Sequence, residues 1–168
     1  MTSSAPTISA EKAQKTLYFL MMAIVVFALD QLTKQAVIKN FMLHQSVEVI
    51  PGFFNLTYVR NTGAAFGILA GTGSWRIYFF LFMGAVALLS LVIFFYSNYK
   101  DPLVVMGTAL ICGGAAGNIT DRIRLGYVVD FLDFFIKDYH WPAFNVADSA
   151  ITVGVLILVI HFLKQEKD

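Results

Sequence analysis

Long apolar runs, each interrupted by at most one or two polar residues, set the pattern of this chain. Ile77–Ser97 (21 residues) and Pro102–Thr120 (19 residues) contain no charged residue at all. At about 1.5 Å rise per residue, each run is long enough to cross the roughly 30 Å hydrocarbon core of a bilayer as a helix. Two further runs carry isolated charges: Thr16–Leu29 continues past Asp30 and Lys34, and Trp141–Leu163 contains only Asp148. The pattern predicts four membrane helices, near residues 17–38, 75–97, 102–120 and 142–163, in one domain over 16–164. Loops 39–74 and 121–140 join them on one side, and short tails, 1–15 and 165–168, lie on the other.

Between the first two helices the period changes. Ser46–Arg60 (SVEVIPGFFNLTYVR) is rich in Val, Phe, Tyr and Thr around Pro51-Gly52, which predicts two short strands and a turn at the membrane surface. Phe53, Phe54 and Tyr58 suit either contact with lipid or an apolar ligand, or a cover for the helix ends. Asp133–Tyr139 in the second loop is expected to form a short interfacial element. The fold class is therefore an all-α membrane protein of four transmembrane helices with a small sheet outside the bilayer.

Composition agrees. Of 168 residues 58% are hydrophobic and 14% charged, with a net charge of +1, against about 45–50% and 25% in soluble domains. That excludes a basic nucleic-acid surface, and the single Cys112 excludes an internal disulfide. Lys12 and Lys15 before an apolar run resemble a secretory signal, but Ala28-Leu29-Asp30 lacks a small-x-small cleavage pattern, so the first helix is expected to be retained. The small, polar residues 1–10 read as a disordered tail. Lys12, Lys15, Lys100, Lys164 and Lys167 are denser than the basic residues of the long loops, which predicts both termini in the cytoplasm. Trp75 and Trp141, where helices re-enter from those loops, suit interfacial anchors.

This topology collects the polar residues of the spans at one face: Asp30 and Lys34, then Asn118, Asp121 and Arg122, then Asn145 and Asp148. Gly114, Asn118 and Arg122 share one face of the third helix, beside a small-residue stripe of Ala109, Gly113 and Gly117 that lets another helix approach closely. Asn145, Asp148 and Thr152 share a face of the fourth. A carboxylate such as Asp148, about 10 Å inside Trp141 with no cation in its own helix, is a functional candidate by default. Asp30 and Lys34, four apart, suit either a pair that closes the helix end or ligand contact. Asp121 reads as an ion-pair residue beside Arg122, Asp133 and Asp138 as solvated, and Cys112 as packing. His44, His140 and His161 form no metal set.

Two neighbouring carboxylates that cannot both ionise can divide the roles of base and acid. With Asp148 as one member, the other is Asp30, Asp121, Asp130 or Asp133. Asp130, inside the apolar stretch YVVDFLDFF, is favoured because it is expected to be held against the protein. A small proton- or cation-coupled carrier, with Asp30 and Asp148 as cation ligands, is the alternative, and a structural subunit a third. The one-sided polar distribution and the apolar Leu156–Ile160 argue against a relay across the membrane.

Five segments carry a resemblance: Asp30–Lys34 (DQLTK), Asn61–Phe66 (NTGAAF), Gly117–Arg122 (GNITDR), Val128–Phe131 (VVDF) and Phe144–Ser149 (FNVADS). In this order, over all but the tails, they resemble bacterial lipoprotein signal peptidase (signal peptidase II). The resemblance implies a four-helix inner-membrane aspartic endopeptidase with an extracytoplasmic site and sheet. Its implied substrates are diacylglyceryl-modified prolipoproteins, cut before the lipidated cysteine. Asp130 and Asp148 match the catalytic pair. Asn61, Gly63, Asn118, Arg122 and Asn145 match substrate-binding or site-ordering residues, and Asp30 and Lys34 a supporting pair. No metal, cofactor or nucleic acid is implied; membrane lipids and the prolipoprotein are the partners of an expected monomer. A substrate's signal helix is expected beside the small-residue stripe. Gly63, Gly67, Gly71 and Gly73 suit either a mobile flap or a rigid glycine-rich turn.

Overall fold

Charge patterns locate the edge of a membrane, whereas capping chemistry locates the end of a helix, and the two differ here by up to nine residues. In a computed structural model, which describes residues 8–63 and 75–165, helix α1 spans Ile8–Asn40. It begins before the expected residue 17 because Ala10, Glu11, Lys12, Ala13 and Gln14 are good helix formers. Lys12 Nζ lies 5.1 Å from the Tyr96 ring and 5.7 Å from that of Tyr99. Residues 8–10, expected within a disordered tail, are thus helical; the earlier part of that tail and the segment 64–74, with the proposed flap glycines 67, 71 and 73, lie outside the described residues.

Helix α2 is Trp75–Asn98 and α3 is Pro102–Leu125. Asp101 caps α3, its Oδ1 accepting from the N–H groups of Leu103 and Val104 at 2.8 and 3.3 Å. The helix continues beyond residue 120 through Asp121, Arg122 and Arg124, until Gly126 adopts φ 79° and closes it. Helix α4, Val146–Gln165, starts four residues later than the expected residue 142. Before it, Phe144 bridges to Leu132 as extended chain, and Asn145 and Asp148 cap the helix reciprocally. Asp148 N–H donates to Asn145 Oδ1 at 2.9 Å, and Asn145 N–H to Asp148 Oδ2 at 3.2 Å.

Glycine decides the helix packing. A Cβ on Gly113 would lie 2.6 Å from the Ala23 carbonyl oxygen of α1, and one on Gly114 would strike that of Ala147 in α4. The small-residue stripe is therefore already covered by α1, and the helix it accommodates belongs to this chain rather than to a substrate. Half of the most apolar stretch of α3 is buried inside the protein and none of that of α2, whose buried Phe95 lies outside it. Cys112 packs with Phe19, Phe95, Val105 and Ala109.

Strands β1 (Ser46–Ile50), β2 (Phe54–Asn61), β3 (Val128–Ile136) and β4 (Tyr139–His140) form one antiparallel sheet in sequence order. The β1–β2 hairpin turns at Gly52, whose φ is 71°. Strand β2 pairs with β3 through Asn55↔Asp133, Val59↔Asp130 and Asn61↔Val128, with an irregularity between Leu56 and Val59. Of the aromatic residues of this hairpin, Tyr58 takes the covering role. Tyr58 is buried with Val37, Val129 and Phe131 over the end of α1, whereas Phe53 is 46% exposed. The second loop holds more structure than expected, because β3 finds its partner across two intervening helices.

The end of the bundle away from the sheet gathers the start of α1, the α2–α3 turn and the end of α4. Lys12 reaches Tyr96 and Tyr99 there, and His161 Nε2 lies 2.7 Å from Asp101 Oδ2.

Candidate active site

The polar residues of the spans meet where the sheet joins the bundle, in two layers. The inner layer is an ion-pair cluster. Lys34 Nζ lies 2.9 Å from Asp30 Oδ2 and 3.0 Å from Asp121 Oδ2, and donates to Asn118 Oδ1 at 2.8 Å. Each of the three ammonium hydrogens therefore has an acceptor. Lys34 is 2% exposed and Asp30 0%, so solvent cannot replace these contacts, and removing one partner leaves a buried unpaired charge. Asp30 Oδ1 also accepts from Ala147 N–H at 2.9 Å. Asp30 and Lys34 thus tie α1 to α3 and α4 instead of merely closing the end of α1.

One member of this cluster escaped the sequence reading. Gln31 donates to Asp121 Oδ1 at 2.9 Å and to Asp30 Oδ2 at 3.2 Å; its spacing of three from Lys34 was the available signal. Asp121 is an ion-pair residue as expected, with Lys34 rather than Arg122 as its partner. It is buried, pairs with Lys34 and accepts from Val129 N–H at 3.1 Å. Neighbouring helical residues point about 100° apart, so Asp121 follows Gly117 toward α1 while Arg122 follows Asn118 toward the cleft. Asp133, expected to be solvated, is buried in the sheet; it accepts from Asn55 Nδ2 at 3.0 Å, and its Oδ1 lies 2.8 Å from His140 Nδ1.

The outer layer faces a cleft of about 1050 Å³ whose lining includes Asn61, Gly63, Asn118, Arg122, Asp130 and Asp148. Of the four possible partners for Asp148, Asp30, Asp121 and Asp133 are engaged elsewhere, and Asp130 shares the cleft with it. Asn145 joins the two: its Nδ2 donates to Asp130 Oδ1 at 2.7 Å, while its Oδ1 and N–H both engage Asp148. Asn61 Nδ2 donates to the other Asp130 oxygen at 3.0 Å, and Asn118 Nδ2 to Asp148 Oδ1 at 2.8 Å. Gly63 N–H donates to Asn61 Oδ1 at 3.0 Å. Arg122 donates to the carbonyls of Gly63 and Asn118 at 3.2 and 3.3 Å, with its guanidinium 4.8 Å from the Phe80 ring. Burial pushes the Asp130 carboxyl up to about 7, and the charge of Asp148 adds to this; the amides of Asn61 and Asn145, and then Lys34, pull the other way. Among the described residues no buried side-chain N or O lacks a hydrogen-bond partner.

Four membrane-length helices with a carboxylate-lined cleft where they meet a small sheet define a polytopic membrane protein of the kind that performs chemistry at a membrane face. Residues 22–164 match the family described as signal peptidase (SPase) II, and the chain belongs to that family. It is 48% identical over 154 residues to a lipoprotein signal peptidase of Syntrophus aciditrophicus, covering 89% of this chain and 94% of the relative. It is 51% identical over 143 residues to one from Syntrophotalea carbinolica, covering 84% and 88%. A solved structure described as a bacterial membrane enzyme superposes with a TM-score of 0.80 at 39% identity, over 88% of each chain.

Proposed function

We propose that this protein is an aspartic endopeptidase that removes signal peptides from diacylglyceryl-modified prolipoproteins, cutting immediately before the lipidated cysteine. The observation that carries this is the sharing of one cleft by Asp130 and Asp148, bridged by the buried amide of Asn145. Family membership supports the substrate class.

Asp130, with its raised carboxyl, holds the proton near neutrality, and Asp148 acts as the base. Asp148 takes a proton from water as the water oxygen bonds to the scissile carbonyl carbon, and Asp130 gives its proton to the carbonyl oxygen. The proton gained by Asp148 then passes to the leaving nitrogen as the C–N bond breaks. Asp130 recovers a proton from the collapsing diol, which restores the pair. Asn61 and Arg122 line the cleft as hydrogen-bond donors for the peptide or ester carbonyls. Ile151 and Val153 give it an apolar flank toward the bilayer, where acyl chains remain in lipid.

The protein acts as a monomer in the bacterial inner membrane, with the site at the extracytoplasmic face and both termini in the cytoplasm. The basic residues around α1, the α2–α3 turn and the end of α4 support this orientation.

The test uses purified protein reconstituted with a diacylglyceryl-modified peptide. Wild type yields two products, and Asp130→Asn and Asp148→Asn each lower turnover by about 10²–10⁴-fold while remaining inserted. Wild-type cleavage by either variant overturns the proposal, as does gradient-driven solute uptake without cleavage.

A further inference from the structure

An asparagine side chain is nearly symmetric in shape and opposite in character at its two ends, so its neighbours decide which way it faces. Asn118 lies between Lys34 and Asp148. Its Oδ1 accepts from Lys34 Nζ at 2.8 Å, and its Nδ2 donates to Asp148 Oδ1 at 2.8 Å. An ammonium can only donate, so the carbonyl end must meet Lys34 and the NH₂ end is left for the carboxylate. Asn145 Nδ2 adds a second donor to the same Oδ1 at 3.3 Å. Lys34 is itself immobilised, because Asp30 and Asp121 take its other two hydrogens inside the protein.

We infer that Lys34 is a positioning residue for the hydrolytic pair, acting through Asn118 to keep a donor rather than an acceptor against Asp148. The inference rests on the aspartic mechanism proposed above. Lys34 does not line the cleft, whereas Asn118, Asp130 and Asp148 do, so its contact with the pair passes through the amide, beside the effect of its charge on Asp130. The charged groups around the pair are Lys34 and Asp30 from α1, Asp121 and Arg122 from α3, Asp130 from β3 and Asp148 from α4. From β2, Asn61 is the polar contact, and Arg60 is turned onto the Tyr58 and Tyr127 rings. Without Lys34 the carbonyl end keeps only the longer bond from Asn145 Nδ2, so the amide is held less firmly and conformers that turn its carbonyl to Asp148 gain population. Two sets of lone pairs then face each other, a contact relieved only by a proton between them. The pair reaches its working state at higher pH, and the acid limb of the kcat/KM profile moves upward.

Lys34→Met alone would strand two buried carboxylates, so the charge-balanced pair Asp30→Asn/Lys34→Met is used, which keeps the net charge and leaves Asp121 the hydrogen bonds from Gln31 and Val129, together with Asn118→Ala and the triple variant, all in the reconstituted cleavage assay. The charge-balanced variant should lose about 10²-fold in kcat with KM nearly unchanged and the acid limb raised. The triple variant should be no slower than Asn118→Ala and should share the acid limb of its pH profile, because Lys34 touches the pair only through that amide; the alkaline limb moves up, since the Lys34 charge also lowers the Asp130 carboxyl. An independent arm leaves Lys34 in place. Asn118→Asp keeps an acceptor for the ammonium but has no NH₂ to give, so turnover should fall about 10²-fold in a variant that circular dichroism shows to be folded. Losses that multiply in the triple variant, an unmoved acid limb, or wild-type turnover in Asn118→Asp overturns the role given to Lys34. Asp130→Asn and Asp148→Asn separate the two proposals. If both are inactive while the losses multiply, only the inference about Lys34 fails; if either cleaves normally, the aspartic mechanism fails first.

Discussion

Asn145→Ala is the most informative single substitution at this site, because one buried side chain performs two separable tasks. It caps α4 by accepting from Asp148 N–H at 2.9 Å, and it donates to Asp130 Oδ1 at 2.7 Å. Losing an N-cap costs about 1 kcal/mol, and leaving a buried carboxylate without one of its donors about 1–3 kcal/mol more. The total of about 2–4 kcal/mol is a large share of the stability of a small protein. The functional effect has a definite sign. The Asn145 amide favours the ionised form of Asp130, so its removal pushes that carboxyl further above about 7. With Asp130 as the acid, the alkaline limb of kcat/KM moves to higher pH while kcat falls. Asn145→Ser separates the tasks: its hydroxyl restores the cap, recovering about 1 kcal/mol, but is too short to give Asp130 the lost amide hydrogen bond. Thermal unfolding in detergent and pH–rate profiles on a lipidated peptide read the two effects independently. Wild-type stability and an unmoved alkaline limb in Asn145→Ala would refute both the hydrogen-bond assignment and the role of Asp130.

Further expectations follow from the same geometry. Because the folded carboxyl of Asp130 lies at about 7 against an ordinary 3.8, the stability its protonation contributes is full below about pH 4 and lost as pH rises through 7; melting temperatures that rise between pH 5 and 8 in wild type but not in Asp130→Asn would contradict this. In Asp148→Asn the neighbouring charge is gone, so the Asp130 carboxyl should titrate below about 7, read by ¹³C-carboxyl chemical shift. Gly114→Ala drives a Cβ into the Ala147 carbonyl oxygen, so overpacking should cost about 1–3 kcal/mol and lower cleavage, since Asn118 loses its reach to Asp148 one turn on. Asp133→Asn weakens the His140 contact, so β4 should exchange its amide hydrogens faster with kcat little changed; equal protection in both proteins would count against that pairing.

The helices were legible because hydropathy and length suffice for membrane spans, and the strands of 46–60 because β-branched and aromatic residues flank a Pro-Gly turn. Helix ends were not, since Gly126 and the Asn145–Asp148 cap act through backbone geometry that charge counting does not weigh. At the site, Asp148 stood out because an unpaired carboxylate in an apolar run has no cheap explanation. Asp121 was legible as an ion-pair residue but its partner Lys34 was not, because helical geometry turns it away from Arg122; Asp133 was misread as solvated because the pairing of β3 with β2 is invisible locally. Asp130 could be favoured but not separated from the other carboxylates by spacing, because its position is set by hydrogen bonds to residues 69 and 15 positions away.

The hydrogen bond from Asn61 to Asp130 spans 69 positions, and that from Ala147 to Asp30 spans 117. During synthesis, β2 is therefore made well before its neighbour β3, and two hydrophobic segments must enter the bilayer in between. No truncated nascent chain lacking α4 holds both acidic groups in register. On the proposed mechanism, proteolytic competence therefore waits until the last segment has inserted.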